Sequence, residues 1–226
     1  SRRVQRASSA PSVVARAVWD NRFMQRRTVL MLVSIGLGAA LAGALVARLT
    51  TQAPVVLEGG TWLPQPRALA EFHLQDQNGR AYGAADLRGH PTLLFFGFTY
   101  CPDVCPTTLA ALSEALRRQP LAGLQVLFVS VDPERDTAAV LGSYVGAFNR
   151  EFIGLRGDAQ ALQPLMRSLG AIALRQPLAG GGYTMDHTAT LYLMDTRGRL
   201  VAVFTPPFSP ERLAADFARI ARADRL

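Results

Sequence analysis

Only two cysteines occur in the 226 residues, Cys101 and Cys105, within the run Tyr-Cys-Pro-Asp-Val-Cys-Pro. Three chemistries use such a pair. A structural disulfide across so short a loop would constrain little of the unfolded chain, and its stabilising effect would be small. A redox pair works through a nucleophilic thiolate, and usually has two residues between the sulfurs rather than three. Two thiolates can also converge on one soft metal ion, which the wider loop suits. Alone they would hold Cu(I) linearly, and a third, nitrogen ligand would give a trigonal or tetragonal site. Of three histidines, His73 alternates with Phe72 and Leu74 and reads as an exposed strand residue, and His90 sits in a solvated Gly-His-Pro turn. His187, in Tyr-Thr-Met-Asp-His-Thr before an apolar run, is the candidate ligand, with a satisfied core histidine as the alternative. Asp186 beside it would either orient the imidazole or be an exposed loop acid. All 24 basic residues are arginine, so Schiff-base, P-loop and lysine general-base mechanisms are excluded.

The elements that must position these groups follow from periodicity. Thr92 to Phe98 (TLLFFGF) and Leu124 to Val131 (LQVLFVSV) are short apolar runs suited to buried central strands. Between them, Pro106 to Arg118 has Leu109, Leu112 and Leu116 at helical spacing, so both sulfurs fall between a strand end and a helix N-terminus. There the helix dipole and free amides would favour thiolate. A helix is expected over Thr137 to Phe148 with Asp136 as its N-cap, and another over Ala159 to Leu169. Phe72 to Leu74 and Arg80 to Tyr82, around an Asn-Gly, predict a hairpin. Ile153 to Leu155 is a short strand, and Ala171 to Leu174 and Tyr183 flank a Gly-rich connection. Thr188 to Met194 and Leu200 to Phe204 predict a strand pair, and Ser209-Pro210-Glu211 opens a last helix. This is an α/β, thioredoxin-like order with an N-terminal hairpin extension. In such a sheet the loop entering the 188–194 strand comes beside the cysteine loop. That would bring His187 to the sulfurs.

The net charge of +7 is not spread over the chain. Residues 1–50 hold eight arginines and one acid, and the other sixteen arginines are matched by sixteen acids. A nucleic-acid partner therefore loses its support. Thr28 to Ala47 is uncharged and, at 1.5 Å per residue, about 30 Å long as a helix, enough to cross a bilayer. Arg22, Arg26 and Arg27 before it put the N-terminus in the cytoplasm and the rest outside it. A cleaved signal peptide is the alternative, since Ala42-Gly43-Ala44 fits a cleavage site. No cysteine lies near this stretch, which argues against a lipoprotein anchor. The expected organisation is a disordered basic segment over 1–27, a transmembrane signal-anchor over 28–49, a linker over 50–70 and a domain over 71–226. Met24 stands where a short signal-anchor would begin, and residues 1–23 read as an upstream extension. The arginine-only usage fits a GC-rich bacterial genome, hence an inner membrane with the domain in the periplasm; a mitochondrial inner membrane is the alternative.

Three stretches resemble the Sco/SenC family of membrane-anchored, thioredoxin-like copper chaperones for cytochrome c oxidase: FFGFTYCPDVCPTTL (95–109), VSVDPERDT (129–137) and MDHTATLYLMDTRGRL (185–200). The resemblance implies one copper, Cu(I) or Cu(II), held by Cys101, Cys105 and His187, with Asp186 supporting the site and a partner contact. Asp132, Pro133, Asp136 and Thr137 match the family's second motif, expected to shape a loop and helix cap near the site. Tyr100 stands where many members have His. The implied partners are oxidase subunit II, whose dinuclear copper centre would receive the ion, a periplasmic copper donor and a thiol reductant. Such a chaperone would turn over no substrate. The alternative within the family is a thiol–disulfide oxidoreductase using Cys101 and Cys105 to reduce the target's cysteines before metallation.

Overall fold

The computed structural model describes residues 27–44, 55–223 and 226. The basic segment before residue 27, the end of the expected anchor (45–49) and the start of the expected linker (50–54) lie outside the described residues. The chain divides into two units, Ser1–Ala53 and Pro54–Leu226. In the first, Arg27–Ala44 forms one helix, α1, long and apolar enough to cross a membrane. Its Leu30, Met31 and Leu32 are exposed, as suits side chains that face lipid rather than a protein core.

The second unit is built on an eight-stranded sheet. In chain order its strands are β1 (Gly60–Ala68), β2 (His73–Asp76), β3 (Ala81–Gly83), β4 (Thr92–Gly97), β5 (Gln125–Ser130), β6 (Ile153–Arg156), β9 (Leu191–Met194) and β10 (Arg199–Phe204). Across the sheet they run β1-β10-β9-β4-β5-β6-β2-β3. The connections β4–α2 (Val104–Arg118)–β5 and β5–α3 (Ala138–Phe148)–β6 make those three strands parallel, as a helical crossover allows. The other pairings are antiparallel. Every residue of β4 is buried, as expected of a run with no polar alternation that is covered on both faces. Phe95, Phe96, Leu127, Phe128, Leu191 and Leu193 form the centre of the core. Helix α5 (Pro210–Ala223) packs on α2, and α4 (Ala159–Leu169) lies against β2. A separate two-stranded ribbon, β7 (Ala173–Pro177) with β8 (Tyr183–His187), completes the unit.

Two expectations need correction. Residues 60–68, expected inside a linker, are the edge strand β1 on β10. Its prolines, Pro64 and Pro66, fall where the register shifts between Trp62 and Arg67, so no ladder bond is asked of a residue without an N–H. Even before β1 the chain is fixed: the amides of Glu58 and Gly59 donate to the buried Asp216 carboxylate at 2.6 and 2.8 Å. The second correction concerns Asp136. The cap of α3 is Thr137, whose hydroxyl accepts from the Val140 amide at 3.3 Å, while Asp136 is turned into the protein. Smaller differences are an earlier start for α2, at Val104, and a shorter β9, beginning at Leu191. The turn at 195–198 forms as expected, with the Arg197 and Arg199 amides donating to Asp195 and Gly198 at φ +73°.

Candidate metal centre

The strand β4 ends at Gly97, and the chain then makes the loop Phe98–Asp103 before α2. The loop is held from the side by Asp136. Its carboxylate, fully buried, accepts from the Thr99 amide at 3.1 Å, the Thr99 hydroxyl at 2.6 Å and the Ser130 hydroxyl at 2.6 Å. A short-chain acid in the second sequence motif thus fastens the cysteine loop to the end of β5. Cys105 is the second residue of α2, in the first turn, where amides have no partner inside the helix. Its N–H donates to Cys101 Sγ at 3.4 Å. Pro106 follows, where the missing N–H costs nothing. Both cysteines are free thiols; Cys101 is half-buried and Cys105 is fully buried. Gly97 makes room for the sulfur. A Cβ there would sit 2.5 Å from the Phe128 ring and 3.0 Å from Cys105 Sγ.

His187 arrives from the other side, as the last residue of β8. The Phe95 and Phe98 rings meet its imidazole edge-on, at centroid distances of 6.0 and 5.8 Å. Nδ1 lies 3.2 Å from the Thr188 carbonyl, which can only accept, so Nδ1 carries the proton and Nε2 presents its lone pair. That lone pair faces Cys105 Sγ at 3.4 Å. Cys101, Cys105 and His187 bring their ligand atoms within 4.8 Å of one another. Two sulfurs and one imidazole nitrogen, with the ring oriented through its other nitrogen, form a donor set suited to a soft transition metal.

The electrostatics differ from those expected of a helix N-terminus. Burial pushes the Cys105 thiol far up from its ordinary value of 9.0, and the hydrogen bond from the Phe98 backbone only partly opposes this. Burial also lowers His187 below 6.5, with the Thr188 carbonyl and the Asp186 charge acting the other way. Both groups are neutral at pH 7, and a bound cation would be what ionises the thiol. Asp186 is exposed on β8, and the atom that orients the imidazole is the Thr188 carbonyl oxygen. His73 and His90 are exposed, on β2 and in the turn before β4, and neither joins the cluster. Sequence reasoning missed Gly97, the bracing role of Asp136, and the hydrogen bond that Arg135, in the loop after β5, donates to the Tyr183 carbonyl of β8 at 3.0 Å. No pattern in a single sequence pairs Arg135 with Tyr183, 48 positions away.

The family model described as SCO1/SenC matches residues 63–222. The mitochondrial SCO2 homologue of Bos taurus is 33% identical over 201 residues, covering 84% of this chain and 74% of that one. Among solved structures, Bradyrhizobium japonicum ScoI with copper bound is 45% identical with a TM-score of 0.61, covering 67% of this chain and 98% of that one. Yeast Sco1 with copper bound is 28% identical with a TM-score of 0.63, covering 70% and 90%.

Proposed function

The chain belongs to the SCO1/SenC family, and we propose that it is a copper metallochaperone whose ligands are Cys101, Cys105 and His187. The observation that carries this reading is the convergence of two sulfurs and one imidazole nitrogen within 4.8 Å, in a domain whose relatives are known with copper bound. Copper is cargo here. Its arrival displaces the proton that burial keeps on the Cys105 thiol, so uptake of one ion by the reduced protein releases that proton at neutral pH. Thr188 keeps the His187 lone pair on Nε2 throughout, and Gly97 leaves the buried sulfur space to turn towards the ion. Delivery would proceed by exchange of these ligands for incoming Cys or His of the acceptor, which we take to be the dinuclear copper centre of oxidase subunit II. A separate copper donor and a thiol reductant would serve the loading step. Helix α1 would be the single anchor, with the arginines before it on the cytoplasmic side and the domain in the periplasm. Retention of the chain in membranes washed with alkaline carbonate is the expected result, and its release would mean a cleaved signal.

The decisive experiment titrates copper into the reduced protein beside its His187→Ala variant. One tightly bound copper with a Cu(II)–thiolate absorption band is expected, and the variant should lose or shift that band. Failure of the reduced wild type to bind would refute the proposal. One observation favours a second reading, a thiol–disulfide oxidoreductase: Cys101 is partly accessible and its sulfur accepts the Cys105 amide, an arrangement that serves an attacking thiolate. That chemistry needs no imidazole. A strain carrying His187→Ala that still assembles its oxidase at ordinary copper supply would favour it.

A further inference from the structure

The ribbon that delivers His187 is not part of the main sheet. Among the described residues β7 and β8 pair only with each other, from Ala173 opposite His187 to Pro177 opposite Tyr183. A lone two-stranded ribbon is marginal in water, so the place of His187 depends on what fastens it. At the near end the ribbon closes on itself: the Thr188 amide donates to the Ile172 carbonyl and the Ile172 amide to the Thr188 hydroxyl, both at 3.0 Å. At the far end it reaches the loop after β5. The Tyr183 hydroxyl donates to Asp132 at 2.7 Å, and Arg135 donates through Nη1 to the Tyr183 carbonyl at 3.0 Å and through Nε to Asp132. Asp132 is buried, and a buried carboxylate needs its cation. The Arg135 guanidinium carbon also lies 3.9 Å from the centre of the Tyr183 ring and 4.8 Å from that of Tyr100, the residue before Cys101. One side chain therefore touches the loop of the sulfurs, the ribbon of the imidazole and a buried acid. Its Nη2 is buried with no partner among the described residues, an arrangement that costs free energy and is not explained by stability alone.

We propose that Arg135 is a positioning residue of the metal centre, clamping the β7–β8 ribbon to the cysteine loop so that His187 stands over Cys101 and Cys105. Lysine cannot replace it, because a single ammonium cannot supply the planar fork to Asp132 and the Tyr183 carbonyl while also keeping its charge over the Tyr183 and Tyr100 rings. The inference rests on the copper reading only for the role of His187 as ligand.

The test compares the reduced full chain in detergent with its Arg135→Lys and Tyr183→Phe variants. Amide exchange of residues 173–187 should quicken by about tenfold in Arg135→Lys, as expected for loss of a charge-assisted bond, while β4 and β5 exchange as before. Its Cu(II)–thiolate band should move towards that of His187→Ala, with Cu(I) still held by the two sulfurs. Tyr183→Phe, which loses only the hydroxyl bond, should shift both readouts less and in the same direction. An unchanged ribbon and band in both variants would overturn the proposal. So would equal acceleration in β4 and β5, which would make Arg135 a general stabiliser. If wild type binds no copper, the exchange data still decide the matter of Arg135. If Arg135→Lys does not fold, Tyr183→Phe decides it.

Discussion

The two halves of the candidate centre are built in opposite ways. The sulfurs stand where β4, the most deeply buried strand, passes into α2, and Cys105 is itself a core residue. The imidazole stands on a two-stranded ribbon outside the main sheet, closed at one end by the Thr188 amide and hydroxyl on Ile172 and tied at the other by Arg135, Tyr183 and the Arg175–Glu134 ion pair. A packed core places an atom through many contacts, so its position survives the loss of any one. A ribbon places an atom through a few polar contacts, so its position is as good as those contacts. Damage near the sulfurs should therefore appear as lost stability, and damage near the imidazole as altered metal binding.

The largest expected effect breaks the sulfur half chemically. Cys101→Ser or Cys105→Ser should abolish stoichiometric copper binding, because a serine hydroxyl does not ionise near neutral pH and is a poor ligand for a soft ion. Retention of one tight copper by either variant, measured by competition with a chelator, would contradict the ligand assignment. Next, Asp136→Ala should cost about 3 kcal/mol in a urea titration, since it strands the Thr99 amide, the Thr99 hydroxyl and the Ser130 hydroxyl in a buried place. Gly97→Ala should cost about 1–3 kcal/mol by pressing on Phe128 and Cys105. His187→Ala, by contrast, should change stability by less than about 1 kcal/mol while losing or shifting the Cu(II)–thiolate band, because a partly exposed site can refill with water. A strongly destabilised His187→Ala protein with unchanged copper spectra would reverse the comparison.

The smallest effect separates the halves by pH. His187 has its folded pKa lowered below 6.5, so as pH falls through that value the unfolded chain takes up a proton before the folded one, and stability declines. Cys105 has its folded pKa raised above 9.0, so as pH rises through that value the unfolded thiol ionises first, and stability declines again. The reduced, metal-free protein should hold its highest urea midpoint between those limits. His187→Ala should flatten the acid side and Cys105→Ser the alkaline side. Identical pH profiles in wild type and both variants would show that neither group is coupled to folding.

How much of this was legible beforehand follows the same division. The runs TLLFFGF and LQVLFVSV could be read as central strands because burial on both faces leaves no polar alternation, and α4 could be bounded at both ends by its local pattern. Strand order in a thioredoxin-like sheet puts the loop of His187 beside the cysteine loop, but it leaves a core histidine the stronger reading, and only the Sco/SenC resemblance makes His187 a ligand of the ion held by Cys101 and Cys105. The edge strand β1 was not legible. Its outer residues are largely exposed and its prolines mimic a linker, so only the pairing with β10 reveals it. Asp136 stood where an N-cap would, and only tertiary structure turns it inward to Thr99 and Ser130. The ribbon appeared as two fragments beside a glycine run, since Gly180 to Gly182 carry the turn and nothing local states that the flanks pair.

The unequal depth of the two sulfurs sets an order in time. Cys101 is reachable from solvent, whereas Cys105 has no accessible surface. An incoming electrophile, whether a disulfide-forming reagent or an alkylating probe, must make its first bond at the Cys101 sulfur. A reagent added in small excess should mark Cys101 and leave Cys105 untouched, so that the burial of a single helical turn fixes the order in which the two thiols react.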